Sequence, residues 1–375
     1  METSDIRKLA NSYRNFSIAT LGSHSALDIC EGAKREGLKT LVVCQRGRER
    51  TYERYYMARK RVGKKIGCID EIMLLNKFSD VATPSIVKQL QKKSAVFIPH
   101  RSFSVYVGYD AIENQFAVPI FGNRYLLRAE ERTASRNQLY LLKKAGIRVP
   151  KSFKPSEIDR LVLVKASEAR RSYERAFFFA SSEKEYEQRS REMLKKGIIT
   201  EAGLRSAPIE EFVVGAQYNF NFFYSPLNKE LELIGTDTRR QTNLDGLLKL
   251  PAGEQLEVLK HVRMSNIEIG HIACTLRESM LEKVFDIGER FVETCRREYP
   301  PGLIGPFALQ GAIIPEEKGE EIVIFDVSFR LPGSPGVRFT PYTGYLYGES
   351  LSMGRRTAIE IKNAFKKKML GEVVT

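Results

Sequence analysis

Phe16-Ser17-Ile18-Ala19-Thr20-Leu21, followed at once by Gly22-Ser23-His24-Ser25, is the stretch that decides the fold. The first six residues make an apolar run of strand length, and the next four make a polar loop at the start of a helix. A helical pattern runs over 26–35, Gly37 is placed to end it, and 40–44 is a second buried-strand run. Together they spell a β-loop-α-β unit whose ligand end lies at the C-terminal ends of its strands. Working outward, residues 72–75, 95–99 and 117–121 are further short apolar runs, separated by helical stretches such as 85–92. An open parallel α/β sheet is expected for a first domain, residues 1–123.

The pattern changes at Arg124. A charged amphipathic helix is expected over 124–145, followed by a turn at Gly146-Ile147-Arg148-Val149-Pro150. Strands at 161–165, 177–180 and 209–215, with a helix at 183–196, form a second unit over 124–212. Strands at 217–224 and 231–235, a helix at 276–297, a hairpin and a terminal helix at 352–370 fill the third, 213–375.

The hairpin carries chemistry. Gly305-Pro306-Phe307-Ala308-Leu309-Gln310 and Ile322-Val323-Ile324-Phe325-Asp326-Val327-Ser328-Phe329-Arg330 read as its two strands. A period of two puts Asp326, Ser328 and Arg330 on one face and Phe325, Val327 and Phe329 on the other. A turn centred near Lys318 sets Gln310 opposite Asp326. Two oxygen donors one strand apart suit a hard cation such as Mg²⁺, which keeps substrate phosphates in its shell, and Arg330 would cover the remaining phosphate charge. The same face also fits a solvated or salt-bridged surface.

Composition narrows the partners. Sixty Lys and Arg against 46 Asp and Glu give a formal charge of +14, which invites anionic ligands. The basic residues fall in short clusters without aromatic interleaving, which favours small phosphorylated molecules over nucleic acid. Five scattered cysteines without a CxxC pair and only four histidines argue against a zinc site. No apolar run reaches the length of a membrane span and the first residues lack a signal-peptide core, so a cytoplasmic protein is expected.

Two polar loops converge on the rim of the first sheet. Gly22-Ser23-His24-Ser25 stands at a helix N-terminus, a site that favours anions, and Pro99-His100-Arg101-Ser102 follows another strand. The first lacks GxGxxG, so a dinucleotide is not suggested. Lys165 closes an apolar strand, and Pro208-Ile209-Glu210-Glu211-Phe212-Val213-Val214-Gly215 places paired carboxylates where a hinge could hold adenine. The order lysine, hinge, metal face is that of the ATP-grasp architecture.

The chain resembles the archaeal formate-dependent phosphoribosylaminoimidazolecarboxamide ligases. The resemblance runs through Ile18-Ala19-Thr20-Leu21-Gly22-Ser23-His24-Ser25, Lys77-Phe78-Ser79-Asp80, Phe121-Gly122-Asn123-Arg124 and Asn243-Leu244-Asp245-Gly246. It continues through Pro300-Pro301-Gly302-Leu303-Ile304-Gly305-Pro306-Phe307 and Tyr345-Leu346-Tyr347-Gly348-Glu349. It implies a two-lobed α+β ATP-grasp domain after the N-terminal sheet. ATP and Mg²⁺ or Mn²⁺ are the implied cofactors, formate and the aminoimidazole carboxamide ribotide the implied substrates, and a homo-oligomer the implied assembly. Carried over position by position, His24, Ser102 and Asn243 look like ribotide contacts and Glu211 an ATP contact. Gln310 and Asp326 look like the metal pair, and in the mechanism expected from this reading Lys165 and Arg330 would stabilise charge on the transferring phosphoryl group.

Three departures stand out, one of them the turn-rich segment Arg330-Leu331-Pro332-Gly333-Ser334-Pro335-Gly336, which differs from the family pattern. The family usually has Glu at Asp326, and it commonly has a glycine-rich flap after Lys165, where this chain reads Ala166-Ser167-Glu168-Ala169-Arg170-Arg171-Ser172-Tyr173-Glu174-Arg175. Arg170, Arg171 and Arg175 could replace amide donors with bidentate phosphate contacts. The alternatives are a diverged ribotide- or nucleotide-binding paralogue without ligase activity, and a ligase for another carboxylate or amine.

Overall fold

The computed structural model describes residues 2–166, 176–262, 266–317 and 319–375. Its N-terminal sheet has the strand order Glu71–Leu75, Lys39–Gln45, Ser17–Leu21, Ala95–Phe97. All its neighbours are parallel, as expected. Every residue of Ser17–Leu21 is buried, the signature of a strand covered on both faces. Residues 117–121 do not extend the ladder as a further strand. They make one parallel bridge, Ile120 to Phe97, and one antiparallel bridge, Phe121 to Val374. Pro119 has no N–H to give a ladder, though its carbonyl accepts from Phe97 N at 2.8 Å.

The helix Ala26–Arg35 crosses the terminal helix Met353–Lys366 backbone to backbone. A Cβ on Gly32 would stand 2.2 Å from Arg355 N, and one on Gly354 would stand 2.2 Å from Asp28 O. Only glycine permits that approach. The crossing ties the last helix of the chain to the first parallel unit.

A second sheet is antiparallel and small, with the order Ala176–Ala180, Val162–Ala166, Ile209–Glu211. Val162, Val164, Phe178, Ala180 and Ile209 make its own buried core. The glycine-free stretch bearing Arg170, Arg171 and Arg175 lies outside the described residues.

The third sheet has five antiparallel strands in the order Asn266–Cys274, Glu230–Thr242, Ala216–Ser225, Gly305–Glu316, Gly319–Ser328. One face packs on the helix Leu281–Glu298 through Phe222, Phe291, Phe307 and Phe329. The edge strand Asn266–Cys274 is absent from the sequence reading. The helix expected over 124–145 is also broken, into Arg124–Leu127 and Gln138–Lys144 with a 3-10 turn at Arg128–Glu130. Asn123 and Asn137 cap the two pieces through their side-chain oxygens.

The hairpin register pairs Gln310 with Asp326, as expected, by a different route. Pairing begins at Glu316 and Gly319, which would bring Phe325 opposite Gln310 if it ran on unbroken. A bulge between Gln310 and Gly311 inserts Phe325 as the extra residue and restores Asp326. The bulge also overturns the expected side for Phe325. It packs beside Val213, Ala312, Ile314 and Val323, whereas Val327 and Phe329 join the core on the other face.

Candidate active site

The floor of the site is one row of polar side chains across the large sheet. Asp237, Asn219, Gln310 and Asp326 stand opposite one another on successive strands, and residues paired in this way share a face. Asn219 Nδ2 and Asn221 Nδ2 donate to the two oxygens of Asp237 at 2.9 and 2.6 Å. Arg239 Nη2 donates to Gln310 Oε1 at 2.5 Å, and Gln310 Nε2 donates to Ser328 Oγ at 3.2 Å. Asp237, Asn219, Gln310 and Ser328 are all buried.

Lys165 approaches this floor from the small sheet. Its ammonium pairs with the buried Glu210, whose other oxygen lies 3.5 Å from Arg132 Nη1. Arg132 Nη2 in turn donates to Phe325 O at 3.5 Å, which links the hinge to the bulge. Burial lowers the Lys165 ammonium below the ordinary lysine range; Glu210 and Asp326 pull it up and Arg132 pulls it down. The hinge carboxylate that meets the lysine is therefore Glu210. Glu211 is taken by Arg148, at 3.6 Å, and by the Lys151 N–H, at 3.2 Å. Glu210 pairs with Leu163, on the Lys165 side of its strand, and Glu211 pairs with Val162, one residue out of phase.

The third wall comes from the first sheet. His100 caps the helix Arg101–Val107, with its Nδ1 accepting from Ser102 N at 3.3 Å and its Nε2 3.0 Å from Leu21 O. That pair of partners puts the hydrogen on Nε2. Burial pushes the imidazole down to about 4, the Leu21 carbonyl opposes this, and Arg330 adds to it. Ser102 Oγ donates to Ser23 Oγ at 2.9 Å, which joins the two rim loops. The His24 ring stacks on His100 with centroids 5.8 Å apart. The loop after Arg330 closes onto this rim, with Leu331 N donating to Pro99 O and Ser25 Oγ to Pro332 O.

The large-sheet floor and the first-sheet rim meet at a cleft lined among others by His24, Arg101, Arg239, His271, Gln310 and Arg330. Of the residues read from the sequence, His24, Gln310 and Arg330 share this lining. Asp326 neighbours Gln310 on the same row, and its charge reaches Lys165. Ser102 stands behind the rim. Lys165, Glu211 and Asn243 are not among the lining residues, and Asn243 begins the short helix Leu244–Leu247. The sequence reading missed Glu130, a part-buried carboxylate 3.4 Å from Arg330 Nη2 that also accepts from Phe329 N at 2.8 Å. Burial raises its carboxyl above the usual range, opposed by Arg330. It also missed Arg239, Asp237 and His271, which the strands Glu230–Thr242 and Asn266–Cys274 bring in.

The donor set suits one kind of cation. Gln310 and Asp326 offer an amide and a carboxylate oxygen at facing positions, a count typical of Mg²⁺ that keeps water and phosphate in its shell. The guanidinium on Gln310 Oε1 shows that this acceptor takes a cationic partner. Among the described residues no group of three or more His, Cys, Asp or Glu side chains could hold a metal ion alone. Nucleotide phosphates would have to complete the site.

A part-buried lysine on a small antiparallel sheet, a polar floor on a large one, and a parallel-sheet rim that meets this floor define an ATP-grasp ligase. The fold extends to distant members: an N5-carboxyaminoimidazole ribonucleotide synthetase in complex with ADP matches at a TM-score of 0.54 and 12% identity, over 90% of this chain and 78% of that one. A family model described as "Domain of unknown function (DUF1297)" matches residues 185–375, and one described as "Protein of unknown function (DUF1246)" matches residues 18–153. The 5-formaminoimidazole-4-carboxamide-1-(beta)-D-ribofuranosyl 5'-monophosphate synthetase of Methanopyrus kandleri is 42% identical over 96% of this chain and 95% of its own. That of Methanothermobacter thermautotrophicus is 41% identical over 97% and 96%. The crystal structure of an IMP biosynthesis protein PurP from Thermococcus kodakaraensis matches with a TM-score of 0.69 at 28% identity, over 96% of this chain and 100% of that one. The chain belongs to the family of 5-formaminoimidazole-4-carboxamide-1-(beta)-D-ribofuranosyl 5'-monophosphate synthetases.

Proposed function

We propose that this protein formylates the 5-amine of 5-aminoimidazole-4-carboxamide ribonucleotide, using ATP and formate, by way of formyl phosphate. The observation that carries this reading is the single cleft in which the His24 rim and the Gln310/Arg330 face meet. An acyl phosphate made at one wall then stands beside an amine held at the other, and proximity of this kind accounts for much of a ligase's rate.

The chemistry has two displacements. A formate oxygen attacks the γ-phosphorus and ADP leaves; the ribotide amine then attacks the formyl carbon and phosphate leaves. Both steps gather negative charge on phosphoryl oxygens. Lys165, Arg239 and Arg330 supply fixed positive charge there, and the buried position of Arg330 keeps water from weakening it. Glu210 and Glu130 hold Lys165 and Arg330 in place. A Mg²⁺ or Mn²⁺ ion held by Gln310 and Asp326 would neutralise the ATP phosphates and orient them in line. His24 and Arg101 are assigned to the ribotide, and Ser102 supports them through Ser23. Among the described residues no helix is long and apolar enough to cross a membrane. An ATP-consuming ligase for a small nucleotide belongs in the cytoplasm.

The test is to incubate the purified protein with ATP, Mg²⁺, formate and the ribotide and to seek the formylated ribotide by mass. Formate-stimulated ADP with matching product supports the reading. Ribotide binding without ADP formation would point to a binding protein on the same scaffold.

A further inference from the structure

The strand Asn266–Cys274 carries His271 to the wall of the cleft. Its Nδ1 hydrogen-bonds Asp237. Asp237 is 1% exposed and also accepts from Asn219 and Asn221, so three donors fix its carboxylate. A carboxylate only accepts, which places the hydrogen on Nδ1 and makes Nε2 the basic atom of the neutral ring. Ser334 Oγ, 3.2 Å from the same Nδ1, ties this ring to the loop that closes over the rim. A base oriented by a buried carboxylate beside a substrate cleft is the arrangement that proton transfer requires.

The reaction has a proton to place. As the amine nitrogen bonds to the formyl carbon, the carbon–oxygen bond to phosphate breaks and its electron pair leaves with phosphate, so the nitrogen must shed one hydrogen as a proton. Lys165, Arg239 and Arg330 are cations assigned to phosphate. We propose that His271 Nε2 accepts the proton from the ribotide amine during formyl transfer, and that Asp237 is the positioning residue that holds the ring and stabilises the imidazolium. This inference rests on the formyl-transfer reading above.

His271→Asn keeps an amide N–H near the position of Nδ1 and removes Nε2. In a single turnover with enzyme in excess over ATP, and with formate and ribotide present, ADP and formylated ribotide are followed separately. The variant should form ADP within about threefold of the wild-type rate while formylated ribotide falls by about 10²- to 10⁴-fold, the usual span for a lost general base. Asp237→Asn should slow the same step and spare ADP formation. Equal slowing of ADP and product, or unchanged product, overturns the assignment to His271. Wild-type protein that yields no formylated ribotide would instead overturn the formyl-transfer reading itself.

Discussion

Gly333 lies directly against His24: a Cβ on Gly333 would stand 2.4 Å from Cε1 and 2.7 Å from Nε2 of the imidazole. The ring is held where it is. Its Nδ1 is 2.7 Å from Ser25 Oγ, it stacks on His100, and its backbone adopts a φ of +46°, a region that side chains other than glycine's rarely occupy. Two loops from opposite ends of the chain therefore meet at a point with no room for one more methyl group.

Gly333→Ala is expected to push His24 off the rim. The account predicts a rise of about tenfold in KM for the ribotide, equivalent to about 1.4 kcal/mol, with a smaller change in kcat. Steady-state kinetics over a ribotide series decides this, and an unchanged KM would remove His24 from the substrate contacts.

Lys165 sets the alkaline limit for ATP. Its lowered pKa means that the ammonium is lost sooner than an ordinary lysine's as pH rises. The pH profile of kcat/KM for ATP reports the free enzyme, so its alkaline limb should fall below about 10.4. Glu210 raises the lysine's pKa, hence Glu210→Gln should move that limb to lower pH. A limb shifted upward by the substitution would contradict the pairing.

Asp326 tests the metal face. Asp326→Asn should cost about 10²-fold in kcat and raise the Mg²⁺ needed for half-maximal rate, because the charged donor is gone. Asp326→Glu, which adds one methylene of reach, should keep activity within about tenfold of wild type. Mg²⁺ titrations of both variants check this; an Asn variant with the wild-type Mg²⁺ requirement would move the metal elsewhere.

His100 predicts acid sensitivity of the fold. Burial lowers it from an ordinary 6.5 to about 4, so below the higher value the unfolded chain takes a proton that the native ring refuses. Its stabilisation is intact above that range and is lost as pH falls towards the lower value, by about 2 kcal/mol between about pH 7 and about pH 5. Denaturant titrations at the two pH values should show this loss in the wild type and a smaller one in His100→Gln. Equal losses would mean that another group dominates.

The elements that could be read from the sequence are those whose signal is local. Periodicity, Gly37 and strand length reveal the parallel sheet around Ser17–Leu21, and alternation reveals the hairpin. The Gln310–Asp326 pair follows from the sequence only because a turn placed half a residue off and a one-residue bulge cancel. No local pattern announces that bulge, so alternation alone puts Phe325 on the wrong face. The choice between Glu210 and Glu211 is made by pairing with Leu163 and Val162, a long-range register. Glu130 looks like one more charge in an amphipathic helix until Arg330 arrives from 200 residues away. His271 had a readable signal, the alternation Ile267-Glu268-Ile269-Gly270-His271-Ile272, which marks a half-buried strand. Its partner Asp237 lies past 231–235, the strand expected there, and only the full strand Glu230–Thr242 brings the two together.

Activation of formate as formyl phosphate in this cleft leaves an isotopic trace, which formate labelled with ¹⁸O reads out. When the labelled acid is turned over with ATP and the ribotide, the account predicts that the phosphate released carries one formate-derived ¹⁸O, in step with formylated ribotide. Product formed with unlabelled phosphate would contradict the acyl phosphate and, with it, the roles given to Lys165, Arg239 and Arg330.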